Sequence, residues 1–254
     1  MIHSVNVSTN LKKLFSSKRV QVQMDGKYDM WRGNISFDDS LKVEAVTALV
    51  GTNGQLYSIG AHSIVQSVLR YNTQIGRYST VGERVEIKDF LIPDISRFSL
   101  SGFTHYEDEG PAVYMENWGD FRRQPLRQND QAVTIGNDVW IGNDVLLKNG
   151  IKIGDGAFIQ ERSLVLEDVP AYTVVAGNPA RVLDLRFPQA VVTQLLNLCW
   201  WNYQYQSFEN VHGDARIENF IAEFLNLKLQ GKLKLIEPNS LTAEDILRSS
   251  IVPD

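Results

Sequence analysis

The sequence predicts a parallel β-helix, mainly β in class, and two observations support that prediction. Aliphatic residues return at every sixth position through the segment TIGNDVWIGNDVLLKNGIKIGDGAFI, which spans 134–159. Glycine directly follows several of them. An α-helix needs a period near 3.6 and a flat strand needs a period of two, so neither explains a period of six. Short strands joined by tight turns, with one side chain of each strand pointing to a common axis, do explain it.

Two positions of the six-residue unit define the pattern. Position one is aliphatic throughout, in the series Ile135, Ile141, Leu147, Ile153, Ile159 and Val165. Position five is small or β-branched, in the series Val139, Val145, Ile151, Ala157, Ser163 and Val169. We expect Gly136, Gly142 and Gly154 to provide the positive φ or the close backbone approach that a tight turn requires.

The repeat continues upstream in two registers. One register contains Leu69, Ile75, Val81 and Ile87, and a looser one contains Ile35, Leu41, Thr47, Asn53, Ile59 and Val65. Because these registers differ by four residues, we expect a kink or bulge near Val65–Leu69. The predicted organisation is an N-terminal extension over 1–34, a β-helix over 35–180 and a C-terminal helical region over 181–254.

The period disappears in an excursion over 88–132. A long excursion from a compact domain is usually functional or disordered, and its many aromatic residues argue against disorder. We therefore expect an ordered loop that protrudes from the β-helix and forms the wall of a pocket. The aromatic residues expected to bind substrate are Phe103, Tyr106 and Trp118.

The only histidine of the excursion is His105, in SGFTHYEDEG. An imidazole titrates near neutrality, and a neighbouring carboxylate can orient it, so His105 is a candidate general base. The alternative is a solvated loop residue. The arginines of the same excursion either form ion pairs within the loop or meet a phosphate group; they are Arg122, Arg123 and Arg127.

The C-terminal region is predicted to be helical. The segment PQAVVTQLLNLCWW opens with Pro188 and places apolar residues on one helical face. A second amphipathic segment follows Asp214, which is a candidate N-cap. Cys199 lies on the apolar face of the first segment, where a structural thiol is expected.

Composition places the chain among ordinary globular proteins. It has 254 residues, a net charge of −5 and a single cysteine. The charge gives no reason to expect a nucleic-acid partner. No apolar run is long enough to span a bilayer, and the N-terminus lacks the apolar core of a signal peptide. We therefore expect a soluble, cytoplasmic protein.

Three segments carry a resemblance to a known family. They are TIGNDVWIGNDVLLKNGIKIGDGAFI, VLEDVPAYTVVAGNPARVLDLRF and LLNLCWWNYQ. They resemble the hexapeptide-repeat acyltransferases, which form a left-handed β-helix, and within them the xenobiotic acetyltransferase branch. The resemblance covers about half of the chain. It implies a left-handed parallel β-helix, a homotrimer, and acetyl-CoA bound as the acyl donor in a cleft between adjacent subunits.

The resemblance also implies roles for single residues. His105 matches the loop histidine that removes the proton from the acceptor hydroxyl. The residues implied to bind the cofactor are Trp140, Gly142, Ala157, the turn Gly177, Asn178 and Pro179, and Arg181 beside it. This sequence departs from the family in its longer N-terminal region. It also departs at Thr104, which stands where the family commonly has asparagine before the histidine.

Several alternatives remain at the level of sequence. The longer N-terminal region favours a sugar or saccharide acceptor, with a streptogramin or chloramphenicol as the second acceptor class. His62 is a rival general base, and a non-catalytic trimeric scaffold is a rival function. A zinc site of the carbonic anhydrase type requires three histidines, whereas only His62 lies on the coil, with His3 and His212 in the termini; no metal site is expected.

Overall fold

The strands of the coil fall into three sheets, which the chain visits in rotation. The computed structural model describes residues 1–23, 33–89, 95–105, 121–126 and 131–251. The first sheet contains β4 (Lys42–Glu44), β6 (Ser58–Ile59), β8 (Gln74–Ile75), β11 (Thr134–Ile135), β14 (Lys152–Ile153) and β19 (Ser240–Thr242). The second sheet contains β2 (Val20–Gln23), β5 (Thr47–Val50), β7 (Ile64–Gln66), β9 (Thr80–Glu83), β12 (Trp140–Ile141), β15 (Phe158–Ile159), β17 (Thr173–Gly177) and β18 (Ala180–Leu185). The third sheet contains β10 (Glu86–Lys88), β13 (Leu146–Lys148) and β16 (Leu164–Val165), and an antiparallel pair contains β1 (Ile2–Asn6) and β3 (Asn34–Asp38).

The coils that contain β11 to β16, which we call the upper coils, stack according to the six-residue period. Ile135 pairs with Ile153 in the first sheet, and Ile141 pairs with Ile159 in the second, so one coil contains 18 residues. Both predicted series of inward residues, at position one and position five, are buried. The predicted mainly β architecture with parallel sheets is therefore confirmed, and the core lies along the axis between the sheets.

The coils that contain β4 to β8, which we call the lower coils, have fewer residues than the sequence pattern predicted. Val43 pairs with Ile59, and Ile59 pairs with Ile75, so these coils contain 16 residues. The looser register is wrong at Asn53, which is exposed in a turn with a φ of 50°. The third side of each lower coil is two residues shorter than the third side of an upper coil. This difference moves the inward aliphatic residues out of a strict six-residue period. The expected irregularity is confirmed at the start of its predicted range, where the ladder of β7 with β9 shifts register after Val65.

The glycines after position one allow neighbouring coils to approach closely. A Cβ atom on Gly154 would lie 2.5 Å from the backbone nitrogen of Ala171, and one on Gly142 would lie 2.6 Å from that of Glu161. Positive φ angles occur two residues later in the unit, at Asp138, Asp144, Gly150, Gly156 and Arg162. The glycine after position one therefore provides the close backbone approach, and the positive φ falls on a different position of the unit.

The excursion leaves the coil at a corner between the third sheet and the first. β10 ends at Lys88, and β11 begins at Thr134. Ile135 pairs with Ile75, and Leu147 pairs with Ile87, so the coil continues in register on both sides of the excursion. The loop is therefore an insertion that leaves the stacking of the coil intact.

Both ends of the chain meet at the first coil. Helix α1 (Thr9–Ser17) contacts helix α4 (Ala243–Ile251), and β19 pairs antiparallel with β4. Leu11, Phe15 and Ile246 are buried within the same cluster as the coil core. The N-terminal extension therefore closes one end of the β-helix together with the C-terminal helix, which the sequence pattern did not predict.

The two predicted C-terminal helices are present. Helix α2 (Gln189–Leu198) begins directly after Pro188, and helix α3 (Ile217–Leu229) follows. The N-cap of α3 is Arg216, so the prediction of Asp214 was wrong because the helix starts later in the chain. Cys199 is half-buried and its thiol donates to the carbonyl of Leu196, at 3.0 Å. No helix in the described ranges is long and apolar enough to cross a membrane.

A half-buried ion pair ties the C-terminal region to the coil. The guanidinium of Arg77 donates to Glu44 at 2.6 and 2.8 Å and to Asn202 at 3.1 Å. Burial alone would raise the pKa of Glu44. The hydrogen bonds from Arg77 and from the N–H of Ala61, with the charge of Arg77, outweigh it and lower that pKa. The carboxylate is therefore stabilised in the folded chain.

The close approach at Gly154 predicts a cost for the substitution Gly154→Ala. The added methyl group would overlap the backbone of the next coil, which cannot move without disturbing the stack. We expect the free energy of unfolding to fall by about 1–3 kcal/mol in chemical denaturation. Gly213→Ala is the matched control, because a Cβ at Gly213 meets nothing within 4 Å. Equal stability of the two variants would contradict the stacking described.

The lowered pKa of Glu44 predicts a loss of stability in acid. A carboxyl group with a lowered pKa stabilises the fold above its unfolded pKa of about 4.3, and this contribution disappears as the pH falls through the folded pKa. Glu44→Gln should therefore destabilise the protein by about 1–3 kcal/mol at pH 7 and progressively less below pH 4.

Denaturation of wild type and variant from pH 3 to pH 7 measures this difference. Glu209→Gln is the control, because Glu209 is exposed and its ion pair with Lys232 lies on the surface. A constant difference between wild type and Glu44→Gln at all pH values would show that the ion pair does not act as described.

Candidate active site

The loop histidine lies in a short, well-bonded segment of the excursion. A 3₁₀ turn over Gly102–Thr104 ends at His105, whose N–H donates to the carbonyl of Gly102 at 3.0 Å. The carbonyl of Thr104 accepts from the N–H of Gln124 at 2.9 Å, so two parts of the excursion are joined at this turn. His105 is only 6% exposed. It is therefore an ordered, buried imidazole, and the solvated alternative does not hold.

The ring of His105 is oriented by a side chain. Its Nδ1 lies 2.9 Å from the hydroxyl oxygen of Thr104, which in turn donates to the carbonyl of Ser101 at 2.8 Å. Acidic residues follow His105 in sequence, and these lie outside the described residues. A hydroxyl group is thus the partner described for Nδ1, and the expected orientation by a carboxylate stays a prediction.

Three phenylalanines form a partly exposed surface on the same loop. The ring centroids of Phe103 and Phe121 are 5.4 Å apart, and those of Phe98 and Phe103 are 6.1 Å apart. Phe103 and Phe121 are each more than a third exposed. Clustered, accessible rings of this kind can pack against an apolar or cyclic ligand. Tyr106 and Trp118 lie outside the described residues, as does Arg127.

A shallow groove crosses the outer surface of the second sheet. Trp140 and Phe158 are paired neighbours on adjacent strands and are 51% and 36% exposed. Gly82, Gly142 and Gln160 contribute to the same groove. An exposed indole beside an exposed phenyl ring is an apolar surface on which a long, thin ligand can lie.

The turn Gly177–Asn178–Pro179 lies on the same sheet as the groove. It connects β17 to β18, and in the strand order β18-β17-β15-β12 these two strands lie two and three strand spacings, roughly 10 and 14 Å, from the strand of Trp140. Gly177 has a φ of 103°, and the peptide bond between Asn178 and Pro179 is cis. Arg181 is exposed directly after the turn. A guanidinium at this position can bind an anionic end of a ligand that extends from the groove.

Two of the residues predicted to bind a cofactor have structural functions. Ala157 is completely buried, and its backbone N–H and C=O are bonded to Gly154 and Trp140. Its methyl group therefore packs in the core and does not line the groove, and a cofactor contact at Ala157 stays a prediction. Gly142 lies in the groove, but the contact of its α-carbon with the next coil already explains the glycine.

An ion pair supports the corner that precedes Trp140. Arg186 donates to the carboxylate of Asp138 at 3.0 Å and to the carbonyl of Gly156 at 2.7 Å. Burial raises the pKa of Asp138 above its usual value, although the charge of Arg186 opposes this. The guanidinium also lies 5.3 Å from the ring centroids of Tyr172 and Phe187. These contacts hold the segment around Arg186 against the coil. The sequence pattern did not predict the ion pair between Arg186 and Asp138.

His62 occupies a different pocket. Its ring stacks on Tyr78 with centroids 4.7 Å apart and meets the edge of Tyr205 at 5.2 Å, and Trp200 and Ile64 line the same pocket. Burial, and then the charge of Arg77, lower the pKa of His62. This shift favours the neutral imidazole, which is packed between aromatic rings. His62 is located on the lower coils, and no described residue of the loop that contains His105 lines this pocket.

The predicted residues therefore fall into two described groups. Trp140, Gly142 and the Gly177–Pro179 turn share the second sheet, with Arg181 at its end. His105 and Phe103 share the loop, in which His105 is hydrogen-bonded to Thr104 and Gly102. No group of three metal-binding side chains occurs within the described ranges.

Comparison with known proteins places these features in a family. Residues 132–166 match the sequence profile of the bacterial transferase hexapeptide family (six repeats). The chain is 30% identical over 161 residues to a probable macrolide acetyltransferase of Lysinibacillus sphaericus, covering 58% of this chain and 87% of that protein. It is 44% identical over 100 residues to a chloramphenicol acetyltransferase of Escherichia coli, covering 39% of this chain and 48% of that protein. The match thus spans about half the length of the E. coli relative.

Solved structures give a weaker comparison. A hexapeptide-repeat-containing acetyltransferase from Vibrio cholerae is 18% identical, with 72% of this chain and 85% of that chain covered and a TM-score of 0.38. A score this low adds nothing to the sequence matches.

Proposed function

The chain belongs to the hexapeptide-repeat acetyltransferase family, and we propose that it transfers an acetyl group from acetyl-CoA to a hydroxyl group of a small molecule. The observation that supports this most strongly is the buried imidazole of His105, which is held in an ordered loop by Thr104. Family membership makes a left-handed coil and a homotrimer part of the same proposal.

The proposed chemistry requires one base and no covalent enzyme intermediate. Acetyl-CoA supplies a thioester carbonyl that is already reactive toward an alcohol. His105 takes the proton of the acceptor hydroxyl as its oxygen bonds to the carbonyl carbon. The imidazolium then returns this proton to the sulfur as the carbon–sulfur bond breaks. A positioned imidazole in this role is typically worth about 10²–10⁴ in rate.

The second sheet provides the proposed donor site. Trp140 and Phe158 offer an apolar surface for the arm of the donor, and exposed Arg181 offers a charge for its phosphates. The row of strands between them gives the site its length. Holding both substrates in place converts a collision of two molecules into a reaction within one complex.

We infer that the acceptor is an apolar, hydroxylated compound of the kind for which the relatives are named, chloramphenicol or a macrolide. The exposed rings of Phe103 and Phe121 suit such a ligand. A sugar acceptor was favoured because of the long N-terminal region, but α1 and β2 of that region pack on the coil instead. A saccharide is therefore the second candidate.

The outer face of the second sheet also supports the proposed trimer. Ile64, Trp140 and Phe158 project outward from neighbouring or nearby strands, and each is at least 36% exposed in the single chain. These side chains lie in one cross-strand row, with Thr80 of β9 between Ile64 and Trp140, and exposed apolar side chains grouped on one face are typical of an interface. A neighbouring subunit would cover part of this face and supply the second wall of the donor cleft.

His105→Ala should lower kcat/KM for acetyl transfer by about 10²–10⁴, because the acceptor hydroxyl loses its base. The Kd for acetyl-CoA should remain within about twofold of wild type, since His105 acts on the acceptor. Turnover with chloramphenicol, macrolides, streptogramins and oligosaccharides, and calorimetric titration with acetyl-CoA, provide the two measurements.

His62→Ala is the matched control and should retain most of the activity. If His62→Ala abolished turnover while His105→Ala did not, the base would be His62. If the wild type neither bound acetyl-CoA nor consumed it with any acceptor, the scaffold alternative would replace the proposal.

Light scattering after size-exclusion chromatography should give a mass close to three times the 28.7 kDa of one chain. Ile64→Lys should reduce the trimer, because it places a charge on the proposed interface. Leu229→Lys, at an 88% exposed position on α3, should not. A monomeric wild type at micromolar concentration would be incompatible with a cleft shared between subunits.

A further inference from the structure

The hydroxyl group of Thr104 is bonded on two sides. Its oxygen lies 2.8 Å from the carbonyl oxygen of Ser101 and 2.9 Å from Nδ1 of His105. A carbonyl oxygen can only accept a hydrogen bond, so the single hydroxyl proton of Thr104 is directed to Ser101. At the imidazole, the threonine oxygen is then left to act as an acceptor.

We infer that Thr104 fixes His105 in the tautomer that carries its proton on Nδ1 and its lone pair on Nε2. The neutral imidazole has one protonated nitrogen and one basic nitrogen, and the bond made at the first decides which nitrogen is basic. Thr104 is therefore a positioning residue for the proposed reaction. This inference rests on the proposed function only for its consequence in catalysis, because the tautomer exists without substrate.

The position of the hydroxyl is itself determined by the fold. Thr104 is 5% exposed, and its N–H donates to the same carbonyl of Ser101 at 3.0 Å. Its own carbonyl accepts from Gln124 at 2.9 Å. Both backbone groups are thus fixed, and a rotation of the side chain away from Ser101 would break a buried hydrogen bond. In the series of hydrogen bonds that joins His105, Thr104 and Ser101, each donor therefore points in the same direction, from His105 to Thr104 and from Thr104 to Ser101.

The direction of donation suits the proposed chemistry. With the proton on Nδ1 and an acceptor beside it, Nε2 is the nitrogen that can take the proton of an alcohol. When Nε2 becomes protonated, the Nδ1–H bond to Thr104 stays intact, so the ring does not need to turn between proton uptake and proton return. An imidazole with the opposite tautomer has no basic nitrogen in that position.

The tautomer can be measured directly by ¹⁵N NMR on the full chain labelled at histidine. The chain has four histidines, and the His105→Gln variant identifies the signals of His105. In neutral His105 of the wild type we expect a protonated Nδ1 and an unprotonated Nε2. Thr104→Ser, which keeps the hydroxyl, should give the same result. Thr104→Val, which has a similar shape without the hydroxyl, should lose the preference for this tautomer.

Kinetics of the same variants give a second readout. Thr104→Val should lower kcat at least about tenfold, as is typical when a catalytic histidine loses the group that sets its tautomer, while KM for acetyl-CoA stays unchanged. Thr104→Ser should restore kcat to within about threefold of wild type. A loss of fold in the valine variant would appear as a lower melting temperature. In that case the spectra of the wild type and of Thr104→Ser would still test the tautomer of His105.

The outcomes separate this inference from the proposed function. A wild-type His105 with its proton on Nε2 would overturn the inference, even if acetyl transfer were present. An unchanged tautomer and an unchanged kcat in Thr104→Val would also overturn it. A protein with the expected tautomer but no acetyl transfer would disprove the proposed function and leave the assignment of the tautomer standing.

Discussion

Stacking of inward aliphatic side chains, one above another at fixed register, is the constraint on which the rest of the structure depends. Ile135 over Ile153 and Ile141 over Ile159 fix which side chains point to the axis. The residues between them are then fixed on the outside, so Trp140 must lie beside Phe158. Because the strands from β10 to β16 have only two or three residues each, backbone pairing alone could slip in register, and burial of the aliphatic residues prevents this.

The coil and the excursion divide the work of the candidate site. The coil holds a long surface nearly rigid, since each of its turns is packed against the next through glycine positions that tolerate no methyl group. The excursion supplies the imidazole and the aromatic surface without interrupting that stack, because the coil continues in register on both sides. A change of loop sequence can therefore alter the proposed acceptor site while the proposed donor site persists, as is common where functional loops lie on a fixed scaffold.

The sequence predicted what depends on local periodicity and failed where distant segments meet. The six-residue period identified the inward residues from 133 to 169 and even the shift near Val65. It failed at Asn53, because two residues fewer on one side of a coil shift the pattern without changing composition. The pairing of β19 with β4 and the Arg77–Glu44 ion pair join residues far apart in sequence, and no local pattern encodes them. The sequence predicts His105 as the base, and that role stays a prediction. The contact of its ring with Thr104 was not predicted, because Thr104 stood out only as a departure from the family and a hydroxyl acceptor has no sequence signature.

The central claim is that one outer face of a rigid coil binds a long thioester donor whose acetyl group reaches the loop histidine. Hydrogen–deuterium exchange with and without acetyl-CoA tests it most directly. Slower exchange confined to 140–142, 158–161 and 177–181, with a further change around 101–105, is the predicted result. Protection confined to the pocket of His62, or saturation with acetyl-CoA that leaves the second sheet unprotected, would contradict the account.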